Sequence, residues 1–272
     1  MAEGEKKKTE VVFGFGPHFP STVKKSLPYE KDADIIVFEG PQEVLDKFIK
    51  SDKKVTLKEL SKYTSSPETN KKGIYQLRKM RRQGKMILPL GSYSLDKWTE
   101  EERNRFDQLM ERSEEYNLEK DVENLARTMA EVNKLINGKA AEWIKKNLPK
   151  WKGKKVLITM GGGHAPLYHQ LKKELKDVSM KAVYLTSGMY EHPGIKYKRS
   201  PQDQLISMLT YGTRLSKNPL VVRKLVRQQH EFDFERRGLE ARYELRGMSH
   251  ERAHEKSVFN TIRRQTRRGL RR

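Results

Sequence analysis

Two segments that combine glycine with histidine, each directly after an apolar run, constrain this chain more than any other part of its sequence. The run 10–13 continues as Gly14-Phe15-Gly16-Pro17-His18, and the run 156–160 continues as Gly161-Gly162-Gly163-His164. Short apolar runs of this kind predict buried strands. Glycines at a strand end let the backbone approach a ligand closely. The pattern therefore predicts two strand-end turns, with Gly14, Gly16, Gly161, Gly162 and Gly163 as their backbone glycines.

Strands and helices alternate over most of the chain. The patterning predicts strands over 10–15, 33–38, 86–90, 156–160 and 181–185, and helices within 20–29 and over 41–50, 71–83, 94–148 and 166–175. We expect the first of these helices to end before Pro28, and the long one to break at Asn137-Gly138. The proline in the run 86–90 indicates a strand end or a sheet edge.

Such alternation is typical of an α/β fold, with a mainly parallel sheet and helices on both faces. We expect this domain to span residues 10–195. After residue 200 the pattern contains no strand, and it predicts a basic helical C-terminal extension over 200–272, broken near Asn218-Pro219, Gly238 and Gly247. The fold class predicted from the sequence is thus α/β plus a helical extension.

The composition of the chain excludes several kinds of functional site and predicts a class of partner. The chain has 57 lysines and arginines against 36 aspartates and glutamates, a formal net charge of +21, and no cysteine. The missing thiols exclude disulfides, thiolate zinc sites and cysteine nucleophiles. No run of 18 apolar residues and no signal-peptide pattern occurs, so we expect no membrane-spanning helix and a cytoplasmic location. The excess positive charge predicts a polyanionic partner.

The strand-end side chains suggest a metal site. His18, His164 and Glu39, which follows the strand 33–38, are expected at the carboxyl edge of one parallel sheet. Two imidazoles and a carboxylate can hold a divalent metal of unknown identity with open positions for substrate. The alternative is that each histidine only caps its own turn through a backbone hydrogen bond. Because two histidines occur in matched contexts beside a strand-end glutamate, we favour the metal site.

These motifs resemble the TraB/PrgY/Tiki superfamily over roughly residues 10–185. The segment Gly161-x-Gly-His164-x-Pro166 is similar to the family's second motif, the turn that ends at His18 to its first, and 34–39 to its Asp-x-x-x-x-Glu strand. The resemblance implies a metal-dependent, peptidase-like hydrolase with His18, Glu39 and His164 as ligands. It also implies that Arg127 stabilises the developing oxyanion, with Arg103 as a rival for that role.

A second metal motif lies in the basic tail. His250-Glu251-Arg252-Ala253-His254 matches H-E-x-x-H, in which two histidines one helical turn apart bind zinc. Zincins need a third protein ligand, and no Asp, Glu or His follows Glu255. We therefore interpret the segment as a solvated helix that happens to contain the motif.

The tail also carries an alternative function. Its arginines are interleaved with aromatic residues, and six lie in the last ten positions: Arg263, Arg264, Arg267, Arg268, Arg271 and Arg272. Guanidinium groups match phosphate geometry and stack on bases. The alternative is thus a non-catalytic protein that binds nucleic acid, RNA rather than DNA, or the ribosome. A third possible partner is an anionic membrane surface. The alternative to all three partners is that the tail helix packs across the main domain and only exposes its charged face to water.

Overall fold

The computed structural model describes residues 8–16, 20–51, 53–64, 66–91, 98–116, 121–185, 191–192, 195–196, 201–212 and 217–269. The chain divides into two compact units. The first comprises Met1–Arg103 and Leu135–Thr186, and the second comprises Asn104–Lys134 and Ser187–Arg272. The second unit thus takes in residues 104–134 besides the C-terminal part. The predicted boundary between 195 and 200 stays a prediction.

The first unit is built on a five-stranded sheet, and all of its strand pairs are parallel. In chain order the strands are β1 Glu10–Gly16, β2 Ile35–Phe38, β3 Met86–Pro89, β4 Lys155–Gly161 and β5 Ser179–Tyr184. Their order across the sheet is β3-β2-β4-β1-β5. This order places β4 between β2 and β1, so the carboxyl ends of all three strands are neighbours.

Helices cover both faces of this sheet, as the predicted α/β fold class requires. The helices of the first half are α1 Pro20–Asp32, α2 Gln42–Val44, which continues as a π-helical turn Leu45–Ile49, α3 Leu57–Leu60 and α4 Pro67–Arg82. Strand residues alternate between two apolar layers: Phe13 and Ile158 belong to one, and Ile36 and Leu157 to the other. The fold class predicted from the sequence is confirmed.

Strand β3 forms one edge of the sheet, which confirms the interpretation of its proline. The amides of Met86 and Leu90 donate to the carbonyls of Asp34 and Phe38 on β2. Because alternate amides of a strand point to opposite sides, position 89 faces outward. Pro89 therefore stands where the outer edge would otherwise present an N–H group.

The long helical region is two helices, α5 Glu100–Glu115 and α6 Val122–Asn147. The predicted break at Asn137-Gly138 is wrong, because α6 runs through both residues. Its apolar face explains this result: Ala140, Ala141 and Ile144 are buried against the sheet, and such packing outweighs the roughly 1 kcal/mol that one glycine costs a helix.

Helix α1 also corrects an expectation, because it continues past Pro28 to Asp32. Its last turns are held by polar contacts: Oγ of Ser26 and Nε2 of Gln76 donate to the two carboxylate oxygens of Glu30, at 2.6 and 2.7 Å. The Glu30 residue is 4% exposed. We attribute the continuation to these buried bonds, which tie the turn after the proline to α4.

Beyond β4 the first unit is completed by a 3₁₀ turn Gly162–His164 and helix α7 Ala165–Glu174. The second unit contains a short antiparallel pair, β6 Glu191–His192 and β7 Ile195–Lys196, followed by α8 Pro201–Tyr211, α9 Pro219–Glu244 and α10 His250–Gly269.

The chain turns between α9 and α10 at Gly247, which has a φ of +79°. The predicted break at Gly247 is confirmed. The one at Gly238 is wrong, because α9 continues through that residue, with Phe232 and Leu239 buried on either side of it. Among the described residues, no helix combines the length and apolar character needed to cross a bilayer.

Candidate functional site at the strand ends

Glu39 and His164 come together at the carboxyl ends of β2 and β4. The pairing of the two strands sets this position, because Phe38 lies opposite Thr159 in the sheet. Glu39 directly follows β2, and His164 ends the short turn that follows β4. Oε1 of Glu39 lies 3.5 Å from Nε2 of His164. The predicted convergence of these two residues is present in the structure.

Both side chains are largely removed from solvent. The His164 side chain is 8% exposed and that of Glu39 is 15% exposed. The second carboxylate oxygen of Glu39, Oε2, accepts a hydrogen bond from the backbone N–H of Gly161. A charged acceptor held by a backbone donor is a strong interaction. The carboxylate is therefore fixed by the end of β4 and presents Oε1 to the imidazole.

A third residue, Asn137 of α6, orients the imidazole from its other side. Oδ1 of Asn137 lies 2.8 Å from Nδ1 of His164, and both residues are buried. Since a carbonyl oxygen can only accept, Nδ1 carries the proton in this arrangement. In a neutral ring Nε2 is then the lone-pair nitrogen. Asn137 thus sets the tautomer that a metal-binding histidine requires.

The pairing of His164 with Glu39 places two potential ligand atoms, Nε2 and Oε1, beside each other. A lone pair on Nε2 and a carboxylate oxygen repel each other unless a proton or a metal ion lies between them. Their separation of 3.5 Å exceeds the usual length of an N–H···O hydrogen bond, about 2.7–3.2 Å. Two ligands of one tetrahedral metal, each bonded at about 2.0–2.1 Å, lie roughly 3.3–3.4 Å apart. The donor set and its spacing therefore fit a divalent metal.

The turn that carries His164 is built from glycines. Gly161 ends β4, and Gly162 and Gly163 form the 3₁₀ turn that precedes α7. All three are partly exposed. Without side chains here, a ligand can approach the backbone beside His164 closely.

The other glycine pair lies inside β1. Gly16 is paired with Gly161 across the sheet, and a Cβ added at Gly16 would lie 2.6 Å from Cγ2 of Thr22. A Cβ at Gly14 would lie 2.9 Å from Cδ1 of Leu185. Close packing against neighbours accounts for both glycines. His18 lies outside the described residues, so its place in the site stays a prediction.

Arg127 is half-exposed on α6. Its Nε and Nη2 donate to Oε1 of Glu123, one helical turn earlier, at 3.0 and 2.6 Å. Arg127 belongs to the second unit, whereas Glu39 and His164 belong to the first. Its role as an oxyanion stabiliser stays a prediction. Its rival Arg103 is exposed on α5.

The arginines of the tail divide into three groups. Arg263 and Arg264 are exposed on α10, and Nη1 of Arg264 lies 3.4 Å from Oε1 of Glu235 on α9. Arg267 and Arg268 belong to the last turns of the same helix. Arg271 and Arg272 lie outside the described residues. Earlier in α10, Val258, Phe259 and Ile262 are buried, so one face of the tail helix is packed and another is charged.

Comparison of the chain with family models, with curated proteins and with solved structures gives no match in any of the three. The resemblance to the TraB/PrgY/Tiki superfamily therefore stays a prediction that rests on the motifs. Asn137, which the sequence analysis considered only as a helix break, is the site residue it missed. A polar residue within the apolar stripe of a helix was the available signal.

Proposed function

We propose that this protein is a metal-dependent hydrolase whose site lies at the carboxyl ends of β2 and β4. Glu39 and His164 would hold the metal, with His18 as a third ligand. The observation that carries the proposal is the pairing of Nε2 of His164 with Oε1 of Glu39, two potential ligand atoms near the spacing of two metal ligands. A divalent metal bound there would polarise a carbonyl and acidify water.

The chain's own residues supply the rest of the site. Asn137 keeps the Nδ1 proton of His164 in place, so Nε2 is the ring nitrogen that would act as a base or a ligand. Gly161 holds one oxygen of Glu39, which limits the carboxylate to one orientation. The open glycine turn before His164 leaves room for a substrate carbonyl. A peptidase-like reaction on an amide or ester is the activity that this arrangement and the motif resemblance favour.

Glu39→Gln tests the proposal. The amide keeps the size of the side chain and removes its charge, so we expect the full-length protein, freed of nucleic acid, to bind one equivalent less of divalent metal. Any amide or ester hydrolysis should fall by about 10²–10⁴-fold. Glu43→Gln, an exposed glutamate four residues later, is the matched control. Equal metal content and equal rates in both variants would rule the site out.

A second candidate function, nucleic-acid binding, is supported by a cavity in the second unit. The cavity has a volume of about 600 Å³, and its lining combines Phe234, Gly238 and three arginines with two acidic residues: Arg237, Arg242, Arg264, Asp233 and Glu235. Phe234 is 86% exposed. Gly238, one turn further along α9, has open space where a Cβ would lie. A base could stack on the ring above this gap while the arginines contact phosphates.

Phe234→Ala should separate this candidate from a merely charged surface. Stacking on one base contributes about 1–3 kcal/mol, so we expect affinity for a short single-stranded RNA to fall at least fivefold while its salt dependence is unchanged. Fluorescence anisotropy at two salt concentrations measures both quantities. Leu220→Ala, at an apolar position of α9 that is 73% exposed, is the control. Equal losses in the two variants would contradict a stacking role.

A further inference from the structure

The turn between α9 and α10 gathers four side chains that are common metal ligands. Glu240 and Glu244 lie in the last two turns of α9, and His250 and His254 lie in the first two turns of α10. The histidines are those of the H-E-x-x-H segment. Further ligands for this segment lie before it in the chain, in Glu240 and Glu244. The hairpin brings them close, because the end of α9 packs beside α10.

The contacts within this group are close. Nδ1 of His250 lies 2.7 Å from Oε1 of Glu244 and 3.7 Å from Oε1 of Glu240. Nδ1 of His254 lies 3.2 Å from that same oxygen of Glu240. One ligand atom each from Glu240, Glu244 and His250 lies within 4.8 Å of the others. These separations bracket the roughly 3.3 Å between neighbouring ligands of a tetrahedral zinc ion.

Charge also favours a dication at this position. Glu240 is only 8% exposed, and its second oxygen is paired with Nη1 of Arg236, whose Nε lies 3.5 Å from Asp233. The carboxylates of Asp233, Glu240 and Glu244 together outnumber the one guanidinium by two negative charges. A divalent cation would neutralise this local excess of negative charge. Nη1 of Arg236 holds Oε2 of Glu240 and also lies 3.1 Å from Nδ1 of His254, while Oε1 of Glu240 faces both histidines.

We propose that Glu240, Glu244 and His250 form a structural site for Zn²⁺ that clamps α9 to α10, with His254 beside it. Mixed imidazole and carboxylate ligands suit zinc. Two of the three come from α9 and one from α10, so the ion would cross-link the hairpin at its turn. His250, whose side chain is 77% exposed, is the ligand that gains most order on binding. The site is independent of the one at Glu39 and His164.

The test uses the full-length chain carrying Glu39→Gln and His164→Asn, so that the strand-end site contributes no metal binding. Titration with ZnCl₂ by calorimetry should give one equivalent, and the midpoint of thermal unfolding should rise by several degrees, since a ligand that binds only the folded state stabilises it. Adding His250→Asn and His254→Asn should weaken binding at least 100-fold and abolish the thermal shift. His230→Asn, an exposed histidine of α9, should change neither result.

Several outcomes would overturn the clamp: no zinc binding by the parent protein, equal binding after the two histidine substitutions, or an equal loss with His230→Asn. If the parent does not fold, the same pair of substitutions in the otherwise unchanged chain should remove one equivalent, while Glu39→Gln removes a different one. A single equivalent lost only through Glu39 would reject the clamp and leave the proposed hydrolase standing.

Discussion

Replacing Asn137 with alanine is expected to weaken divalent-metal binding at the strand-end site by about 10- to 100-fold, the range found when the hydrogen-bond partner of a metal-binding histidine is removed. The physical reason is the 2.8 Å contact between Oδ1 of Asn137 and Nδ1 of His164. Without it the buried imidazole can turn or place its proton on Nε2, and the lone pair facing Glu39 is lost. Calorimetric titration of the chain carrying His250→Asn and His254→Asn isolates this site.

Asn137→Asp is the matched variant for this prediction. A carboxylate keeps the acceptor at the same place, so affinity should stay within a few-fold of the parent. A merely structural Asn137 would behave differently: alanine would lower stability without changing the affinity of the folded fraction. Unchanged affinity in the alanine variant, measured beside its circular dichroism spectrum, would contradict the positioning role.

Replacing Gly91 with alanine is expected to destabilise the first unit by about 3 kcal/mol. A Cβ on Gly91 would overlap Cδ1, Cγ and Nε1 of the Trp143 indole. That ring cannot move away freely, because its centroid lies 5.7 Å from that of Trp151, which is fully buried. The added methyl must therefore displace either α6 or the segment after β3. Urea unfolding followed by tryptophan fluorescence measures the loss.

Gly138→Ala is the control for Gly91→Ala. Gly138 lies in the interior of α6 and has no neighbour within 4 Å of an added Cβ. Alanine there should stabilise the helix by about 0.5–1 kcal/mol. The two glycines should thus respond in opposite directions to the same chemical change. Destabilisation at Gly138, or tolerance at Gly91, would contradict the packing described for these positions.

The strand-end part of the site could be predicted from the sequence because it depends on local rules. Apolar runs indicated the strands, and parallel strands bring their carboxyl ends to one edge. Glu39 and His164 follow two such strands, so their meeting required only the strand order. The same reasoning could not reach Asn137, because its contact with His164 depends on how α6 packs and rotates over the sheet.

The errors share a physical origin. Local propensity predicts helix breaks at Asn137-Gly138, before Pro28 and at Gly238, and all three positions lie inside helices. Buried apolar neighbours outweighed the preference of one residue in α6 and α9, and buried hydrogen bonds to Glu30 did so in α1. The cluster around His250 depends in the same way on tertiary packing, because Glu240 and Glu244 precede the motif in the chain. A helical hairpin brings preceding residues equally near.

The proline at the outer margin of β3 has a consequence for how copies of this chain can meet. A further strand pairing with β3 would lack one hydrogen bond there, because Pro89 has no backbone N–H to donate. Growth of the sheet by addition of strands, the route by which many proteins aggregate, is therefore disfavoured along that side. Pro89 thus opposes edge-to-edge association between copies of this chain.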